Sequence, residues 1–384
     1  MKLEDVCKVF TDGDWIESKD QSDNGIRLIQ TGNIGEGIYL EKSDRAKYIS
    51  QETFDALKCT EIYSGDILVS RLPEPVGRAC IIPPKEERMI TAVDCTICRP
   101  NEEIVLKEYL CYFMQSDVYY NRLLNNVTGT TRKRISRKNL GNVEINIPDI
   151  DKQAAITEKL DIISSIIDER KREKEHLDTL IKARFVEMFG DPVNNSKGLP
   201  EATLPELGEF GRGISKHRPR NDPKLLGGEY PLIQTGDVAA AELYITDYSA
   251  TYSEIGLKQS KMWNKGTLCI TIAANIAKTA ILTFDACFPD SVVGFMANDR
   301  TSNVFIHYWF SFFQRILESQ APESAQKNIN LKILSELKVI NPSKEAQENF
   351  EQFVHRVDKS KFAIQKALAK TQTLFDSLMQ EYFG

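Results

Sequence analysis

The sequence predicts an α+β fold: two tandem α/β domains of one kind, and two long helices that pair as an antiparallel coiled coil, with an internal pseudo-twofold repeat. The repeat is visible as Leu-Ile-Gln-Thr-Gly at 28–32, which returns 204 residues later at 232–236. The segment 147–190 also returns, 194 residues later, at 341–384. Repeated segments of this size are typical of a duplicated unit. The expected boundaries are 1–150 for the first domain, 151–190 for the central helix, 191–344 for the second domain and 345–384 for the last helix.

Each domain is expected to contain short strands, because runs of aliphatic residues are broken by Gly, Asp and Pro. In the first copy we predict strands at 26–31, 66–70, 79–82 and 143–147, a helix at 106–125, and a loop at 128–134. The second copy repeats these blocks at 266–270, 276–281 and 303–317. The offset falls from 204 to 200 to 194 between blocks, so the length changes lie in loops, which tolerate them.

The two C-terminal segments of the copies keep a constant offset of 194, as expected of a rigid element. Apolar residues recur there at steps of three and four, which predicts an a/d seam on a helix. The predicted seam positions are Ile156, Leu160, Ile163, Ile167, Arg170, Lys174, Leu177, Ile181, Arg184 and Met188, then Phe350, Val354, Val357, Lys361, Ile364, Leu368, Thr371, Phe375, Leu378 and Tyr382. About 37 residues at ~1.5 Å each give a rod of roughly 55 Å.

A seam of this length favours pairing of the two helices. The alternative is that each helix packs only on its own domain. The charged segment 168–176 is either a solvated face or a docking surface for a partner.

Composition excludes several protein classes. The chain has 384 residues, 41% hydrophobic and 27% charged, with a net charge of −6. No apolar run is long enough for a membrane span, and the acidic start lacks the apolar core of a signal peptide. We therefore expect a cytoplasmic protein without a membrane partner. The net charge still permits a locally basic groove.

The cysteines and histidines do not predict a metal site. Of eight cysteines only Cys95 and Cys98 have ligand spacing, and they lie in a predicted strand. A zinc site needs a second ligand pair, and the four histidines form no spaced cluster. We predict buried, reduced thiols and no metal.

The motifs of three enzyme classes are missing. The nearest string to the Asn/Asp-Pro-Pro-aromatic motif of amino-methylating DNA methyltransferases is Asn341-Pro342-Ser343-Lys344. There is no phosphate-binding G-x-x-x-x-G-K-[ST] loop. The segment 148–152 resembles a nuclease centre, but its two acids are compressed into one turn, where Asp151 suits a helix start. We expect no catalytic residues in this chain.

Two segments without acidic residues are rich in cations. The first, 118–143, combines cations, hydroxyls and a glycine, the groups that contact phosphates and guanine edges. Its matched loop in the second copy carries amides suited to adenine. The second segment is 211–220. Each segment alone is better explained as a solvated loop, whereas recurrence at equivalent positions beside the repeated glutamine favours nucleic-acid contact.

The full candidate set for DNA contact covers these segments, the repeated motif, and the cations in or beside the matched strands. It consists of Gln30, Thr31, Asn33, Arg71, Arg78, Thr128, Gly129, Thr130, Thr131, Arg132, Lys133, Arg134, Arg137, Lys138, Arg212, Lys216, His217, Arg218, Arg220, Gln234, Thr235, Asp237, Lys278, Gln326, Lys327 and Asn328.

The sequence resembles the specificity subunit of type I restriction–modification systems. The segments that carry the resemblance are 12–20 with 25–32, 213–220 with 230–237, and Phe-Val-Glu-Met-Phe-Gly-Asp-Pro at 185–192. The resemblance covers essentially the whole chain. It implies two target-recognition domains separated by two helices in an antiparallel coiled coil.

The resemblance also implies a function. Each domain would read one half of a split double-stranded DNA site, and helix length would set the spacer. The partners would be two methyltransferase subunits, which use S-adenosylmethionine, and ATP-driven, Mg-dependent restriction subunits. This chain itself would hold no cofactor. The alternative is a duplicated coiled-coil interaction scaffold without DNA specificity, and a solitary enzyme is opposed by the missing motifs.

Overall fold

The computed structural model describes residues 1–124, 133–273, 276–320 and 329–384. The chain divides into two compact units: Met1–Lys171 with Lys366–Gly384, and Arg172–Gln365. The division passes through both long helices, so each unit contains one domain and half of each helix.

The first unit is built from short strands and helices that precede a long helix. Its elements, ending with that helix, are β1 (Cys7–Asp12), β2 (Ile26–Ile29), β3 (Tyr48–Ile49), α1 (Gln51–Leu57), β4 (Glu61–Ile62), β5 (Ile67–Ser70), β6 (Ala79–Ile81), β7 (Met89–Thr91), β8 (Cys95–Pro100), α2 (Lys107–Phe113), α3 (Asp117–Leu124), α4 (Arg137–Gly141) and α5 (Ile150–Phe189). The strands form two sheets, ordered β1-β8-β5-β6 and β3-β2-β7-β4. The pair β2–β7 is parallel and the others are antiparallel.

The second unit follows the same plan. Its elements are β9 (Glu201–Ala202), α6 (Leu204–Leu207), β10 (Gly208–Arg212), β11 (Leu226–Leu232), α7 (Thr235–Ala240), β12 (Tyr244–Ile245), β13 (Ala250–Tyr252), α8 (Glu254–Lys258), β14 (Met262–Trp263), β15 (Leu268–Thr271), β16 (Thr279–Leu282), β17 (Ala286–Cys287), β18 (Val292–Ala297), α9 (Asn303–Phe310), α10 (Phe313–Gln320), α11 (Leu331–Glu336), β19 (Val339–Ile340) and α12 (Lys344–Phe383). Its sheets are ordered β10-β18-β15-β16-β12 and β13-β11-β17-β14, and β9 pairs with β19.

The strand orders confirm that the two copies share one frame. The order β1-β8-β5-β6 recurs as β10-β18-β15-β16, with β12 added at the edge. The order β3-β2-β7-β4 recurs as β13-β11-β17-β14. The central strands β5 and β15 are buried along their whole length, because apolar residues occupy both of their faces.

The two long helices are equal in length, and their bounds are separated by the predicted offset. Both α5 and α12 contain 40 residues, and their first and last residues are each 194 apart. At ~1.5 Å per residue each helix is about 60 Å long, slightly longer than predicted because each starts directly after the Pro-containing loop.

Within each unit the facing halves of α5 and α12 run antiparallel. In the first unit Lys159 Nζ lies 5.9 Å from the ring centroid of Tyr382, and Arg170 Nη1 donates to the carbonyl of Ala367 at 2.8 Å. The second unit continues this order. There Lys174 contacts Gln365 at 3.4 Å, Asp178 contacts Lys361 at 2.6 Å, and the rings of Phe185 and Phe350 are 5.4 Å apart.

The predicted seam is wrong near the C-terminal end of each long helix. There the buried residues are Phe185 and Phe189 in α5, and Met379 and Phe383 in α12. Each lies one position beyond the predicted seam residues, namely Arg184, Met188, Leu378 and Tyr382, which are only half-buried. The reason is that these ends pack into the domain cores rather than onto a helix alone.

Two further predictions differ from the structure. The helix expected at 106–125 is two helices, α2 and α3, and the second copy is interrupted at the matched place, between α9 and α10. The strand expected at 143–147 is reduced to a single bridge between Lys2 and Glu144. The segment that pairs with it turns into a 3-10 helix at Glu4–Val6, so the ladder does not extend.

The cysteines are free and seven of the eight are buried, so the predicted burial is confirmed except at the half-buried Cys7. Burial raises the pKa of the Cys80, Cys95 and Cys111 thiols to about 12. Within the described ranges, no three His, Cys, Asp or Glu side chains are grouped so that they could hold a metal ion. No helix of the described residues is long and apolar enough to cross a membrane.

Candidate nucleic-acid interface

The loops that follow β1 and β10 begin at equivalent glycines. A Cβ at Gly13 would lie 2.4 Å from the carbonyl oxygen of Thr91, and one at Gly213 would lie 2.3 Å from that of Phe288. The Gly13 N–H donates to the carbonyl of Cys95, and the Gly213 N–H to that of Val292, both at 2.9 Å. Each loop is therefore held against the turn that leads into β8 or β18.

The repeated Leu-Ile-Gln-Thr-Gly motif is a buried strand end followed by a helical turn. The backbone N–H of Gln30 donates to Asn33 Oδ1 at 3.0 Å, and that of Gln234 donates to Asp237 Oδ2 at 2.7 Å. Side-chain caps of this kind stabilise the first turn of a helix. Asn33 is buried, and its Nδ2 donates to the carbonyl of Leu40. Asn33 and Asp237 therefore serve to cap the helical turns that the motif begins.

The glutamines of the motif differ from these capping residues. Gln30 is half-buried and Gln234 is exposed. Thr31 and Thr235 are both half-buried. These four residues stay in the candidate set.

Arg78 holds two loops of the first unit together. Its guanidinium is 9% exposed and donates to the carbonyls of Ile34 at 2.7 Å, Thr31 at 2.8 Å, Leu72 at 2.9 Å and Pro75 at 3.1 Å. These donors are already used within the protein, so burial removes Arg78 from the candidate set. The equivalent Lys278 is exposed and remains a candidate.

Arg71 also lies in the interior. It is 5% exposed, its Nη2 donates to the carbonyl of Val93, and its Nε is 3.4 Å from Asp12 Oδ1. Burial lowers the pKa of this guanidinium, and the Asp12 carboxylate opposes that shift. The sequence-based placement of Arg71 on the DNA surface is therefore corrected: it connects β5 to the turn before β8.

Four exposed cations form a first basic cluster, which we define as Lys133, Arg134, Arg137 and Lys138. Arg134 Nη2 lies 3.0 Å from Asp94 Oδ1, and Arg137 Nη1 lies 3.8 Å from Asp12 Oδ2. The fully buried Ile135 anchors the segment. Exposed ion pairs of this kind contribute only about 0–1 kcal/mol, so the guanidinium groups can transfer to a phosphate.

A second basic cluster, defined as Arg212, Lys216, His217, Arg218 and Arg220, gathers around Asp290. Its members are all exposed. Arg212 Nε donates to the Asp290 carbonyl at 2.9 Å, Arg218 Nη2 is 3.5 Å from Oδ2, and Arg220 Nη2 contacts Oδ1. The Asp290 carboxylate therefore faces two guanidinium groups, which leaves this group of arginines with excess positive charge.

Two side chains shape the loop of the second cluster. Gln259 Oε1 accepts the backbone N–H of Lys216 at 2.7 Å and that of His217 at 3.0 Å. His217 Nε2 lies 3.0 Å from Asp222 Oδ2. The Lys224 backbone N–H and, second, His217 lower the pKa of the Asp222 carboxyl.

The remaining candidates are the two matched loops. Thr128, Gly129, Thr130, Thr131 and Arg132, and likewise Gln326, Lys327 and Asn328, lie outside the described residues.

Sequence reasoning missed the residues that organise these clusters. Asp94 and Asp290 both precede the strand β8 or β18, and this recurring acid was the available signal. No sequence signal pointed to Asp12 or Gln259, because their partners are distant in sequence. Trp15, 68% exposed in the loop after Gly13, was also missed as a surface aromatic.

Comparison with known proteins identifies the family. A model of the type I restriction modification DNA specificity domain matches residues 1–178 and, a second time, residues 201–372. The chain belongs to this family. Each match covers one domain and much of the long helix that follows.

Specificity subunits of the family are similar along the chain. A protein of Methanocaldococcus jannaschii provisionally described as the type I restriction enzyme MjaX specificity subunit is 22% identical over 97% of this chain and 91% of its own length. The EcoKI specificity subunit of Escherichia coli is 21% identical over 75% of this chain and 67% of its own length.

Solved structures share the fold. A chain from a study of complex assembly and conformational transition of the type I R-M system has a TM-score of 0.59 at 18% identity, covering 100% of this chain and 96% of the other. The S subunit of a type I restriction-modification system from M. genitalium has a TM-score of 0.53 at 14% identity, covering 100% and 95%.

Proposed function

We propose that this chain is the non-catalytic specificity subunit of a type I restriction–modification complex and reads a bipartite DNA site. The observation that carries the proposal is one strand frame, present twice, with a different basic cluster on each copy. The first cluster lies after α3 and the second directly after β10, so the two units present different groups to DNA. Each unit reads one half-site.

The two clusters supply the phosphate contacts. Cations that neutralise phosphates release counterions and give sequence-independent affinity. Base readout needs side chains that reach the groove edges, and we assign this to residues 128–132 and 326–328, together with Gln30 and Gln234. Arg71 and Arg78 hold the loops in place from the interior.

The helices α5 and α12 form the spacer as an antiparallel coiled coil. The chain recruits two methyltransferase subunits, which supply S-adenosylmethionine chemistry, and the ATP-dependent, Mg-dependent restriction subunits. Its own residues bind and orient double-stranded DNA in the cytoplasm.

The test exploits the independence of the two half-sites. Arg134→Ala with Arg137→Ala should weaken methylation because contacts to the half-site of the first unit are lost. Arg218→Ala with Arg220→Ala should weaken it through the half-site of the second unit. Each lost phosphate contact should weaken binding at that half-site and lower the salt dependence of the affinity by roughly one counterion. The methylated motif is read by methylome sequencing of cells that carry each variant in the assembled complex.

Lys182→Ala is the matched control, since Lys182 is an exposed cation of α5. A motif and methylation level that stay unchanged in both cluster variants would overturn the placement of the clusters on DNA. Loss of both half-sites from either double variant would contradict independent reading.

A further inference from the structure

The seam between α5 and α12 carries two cations where an apolar side chain would pack. Lys361 is 6% exposed, and its Nζ lies 2.6 Å from Asp178 Oδ1 and 2.8 Å from Glu242 Oε2. Arg170 Nη1 donates to the carbonyl of Ala367 at 2.8 Å and contacts Thr371 Oγ1. Desolvating a charge offsets much of what its ion pair gains, so such residues are better explained by selection of a partner than by stability.

The 194-residue offset reveals what stands at the same positions of the other helix. The counterpart of Lys361 is Ile167, and the counterpart of its partner Asp178 is Gln372. Each member of the ion pair is therefore present on one helix only.

The second contact has the same asymmetry. The counterpart of Arg170 is Ile364, and the counterpart of Thr371 is Leu177. The contact between Arg170 and Thr371 is therefore available only between α5 and α12.

Pairing of like helices from two copies, in the same antiparallel register, loses these contacts. If α5 met the α5 of a second chain, Asp178 would face Ile167, and Lys174, which now contacts Gln365, would face Lys171. Facing like charges are unfavourable. If α12 met a second α12, Lys361 would face an amide in place of a carboxylate.

We propose that Lys361 and Arg170 select the pairing of unlike helices within one chain and exclude pairing with the same helix of a second copy. The rod then always joins one first domain to one second domain. One consequence rests on the proposed function: the recognised DNA site then has two unlike halves.

The test replaces both cations by the residue that stands at the equivalent position, as Arg170→Ile with Lys361→Ile. The Asp178 and Glu242 side chains are 52% and 46% exposed, so they stay hydrated and the seam stays packed. Full-length chains with two different affinity tags are co-expressed, and co-purification and mass are measured. The wild type should have the mass of one chain, and the double variant should show about a tenfold or greater gain in co-purified partner, the factor for each ~1.4 kcal/mol of lost discrimination.

A cross-link distinguishes like pairing from simple exchange of segments. Lys171→Cys with Lys174→Cys, added to the double variant, should give an interchain disulfide, because these positions meet only when α5 faces α5. The control is Arg172→Ile with Lys370→Ile, which adds the same residues at exposed positions of the same helices and should leave a monomer.

Three results would overturn the proposal: a double variant that stays monomeric, a control that dimerises equally, or an interchain disulfide when Lys171→Cys and Lys174→Cys are introduced into the otherwise unchanged chain. If the double variant is insoluble, Lys361→Ile alone gives the same comparison at one position. Chain mass reports pairing and methylation reports DNA reading, so the two proposals fail separately.

Discussion

Gln347 occupies in α12 the place that Gln153 occupies in α5: each is the fourth residue of its helix and is fully buried. Gln153 Nε2 donates to the carbonyls of Ile104 at 3.0 Å and Pro148 at 2.8 Å, and its Oε1 accepts the N–H of Leu106 at 2.9 Å. Each long helix is thus joined to its domain through one amide.

Replacing this amide should be costly. Gln153→Leu leaves three partly buried backbone groups without this partner, and each unsatisfied group costs about 1 kcal/mol, the lower end of the usual range. We expect a loss of roughly 3 kcal/mol in the free energy of unfolding, measured by denaturant titration, and a similar loss for Gln347→Leu. The neighbouring exposed Lys152→Leu is the control. An effect of Gln153→Leu no larger than that of the control would show that the amide does not hold the joint.

Glu242 should make the second unit sensitive to acid. Burial alone would raise its pKa, but Lys174 at 2.5 Å and Lys361 at 2.8 Å bring the pKa below its ordinary value. A lowered folded pKa contributes stability that is present above the unfolded pKa and lost as pH falls through the folded one. Glu242→Gln should lower Tm at pH 7, and the difference from the wild type should vanish near pH 3.

Thermal unfolding at both pH values measures this, with the exposed Glu229→Gln as control. A difference between Glu242→Gln and the wild type that is equal at pH 7 and pH 3 would contradict the pKa assignment.

In the loops before β6 and β16, replacing glycine by alanine in the first and alanine by glycine in the second should change stability in opposite directions. Gly77 has φ +91°, and a Cβ there would lie 2.1 Å from Leu123 Cδ1. Ala277, at the matched position, has φ +58°, a left-handed conformation that costs an L-residue about 1–2 kcal/mol. Gly77→Ala should destabilise by about 2–3 kcal/mol. Ala277→Gly should stabilise by up to about 1 kcal/mol.

Gly198→Ala separates strain from collision, because Gly198 has φ +60° and nothing lies within 4 Å of its Cβ position. It should cost only the conformational part, about 1 kcal/mol. Equal losses at Gly77 and Gly198, in denaturant titrations, would exclude the collision with Leu123.

Rod length should set the spacer of the recognised site. One heptad inserted after Lys171 and another after Gln365, which are matched positions, would lengthen each helix by about 10 Å. The spacer should then grow by about three base pairs at ~3.4 Å each, as read from the methylated motif. Insertion in one helix alone should abolish the motif, since it breaks the pairing register. An unchanged spacer with both insertions would refute the ruler.

The duplicated frame and the long helices could be predicted from sequence because their signals are local and repeated. The constant offset of 194 residues predicted both long helices, each of which has 40 residues. The prediction failed at Phe185 and Met379 because a heptad pattern does not show where a helix leaves its partner and enters a domain core.

The candidate site was less predictable because the charge of a loop residue does not determine whether its side chain faces solvent or the interior. Arg78 and Arg137 have the same type of side chain, yet the first is buried among carbonyls and the second is exposed. The difference depends on acceptors at Thr31 and Leu72, which only folding brings to Arg78. Acids such as Asp12, distant in sequence from the Arg71 and Arg137 side chains that it contacts, were undetectable for the same reason.

The first unit cannot be completed until the ribosome has translated Phe383. Its core contains Met379 and Phe383, and the Phe383 ring lies 5.1 Å from that of Tyr109. At about 5–20 residues per second, a domain whose own residues end near Lys171 waits roughly 10–40 s for its last helix. A chain that terminates before Met379 therefore lacks part of the first unit's core.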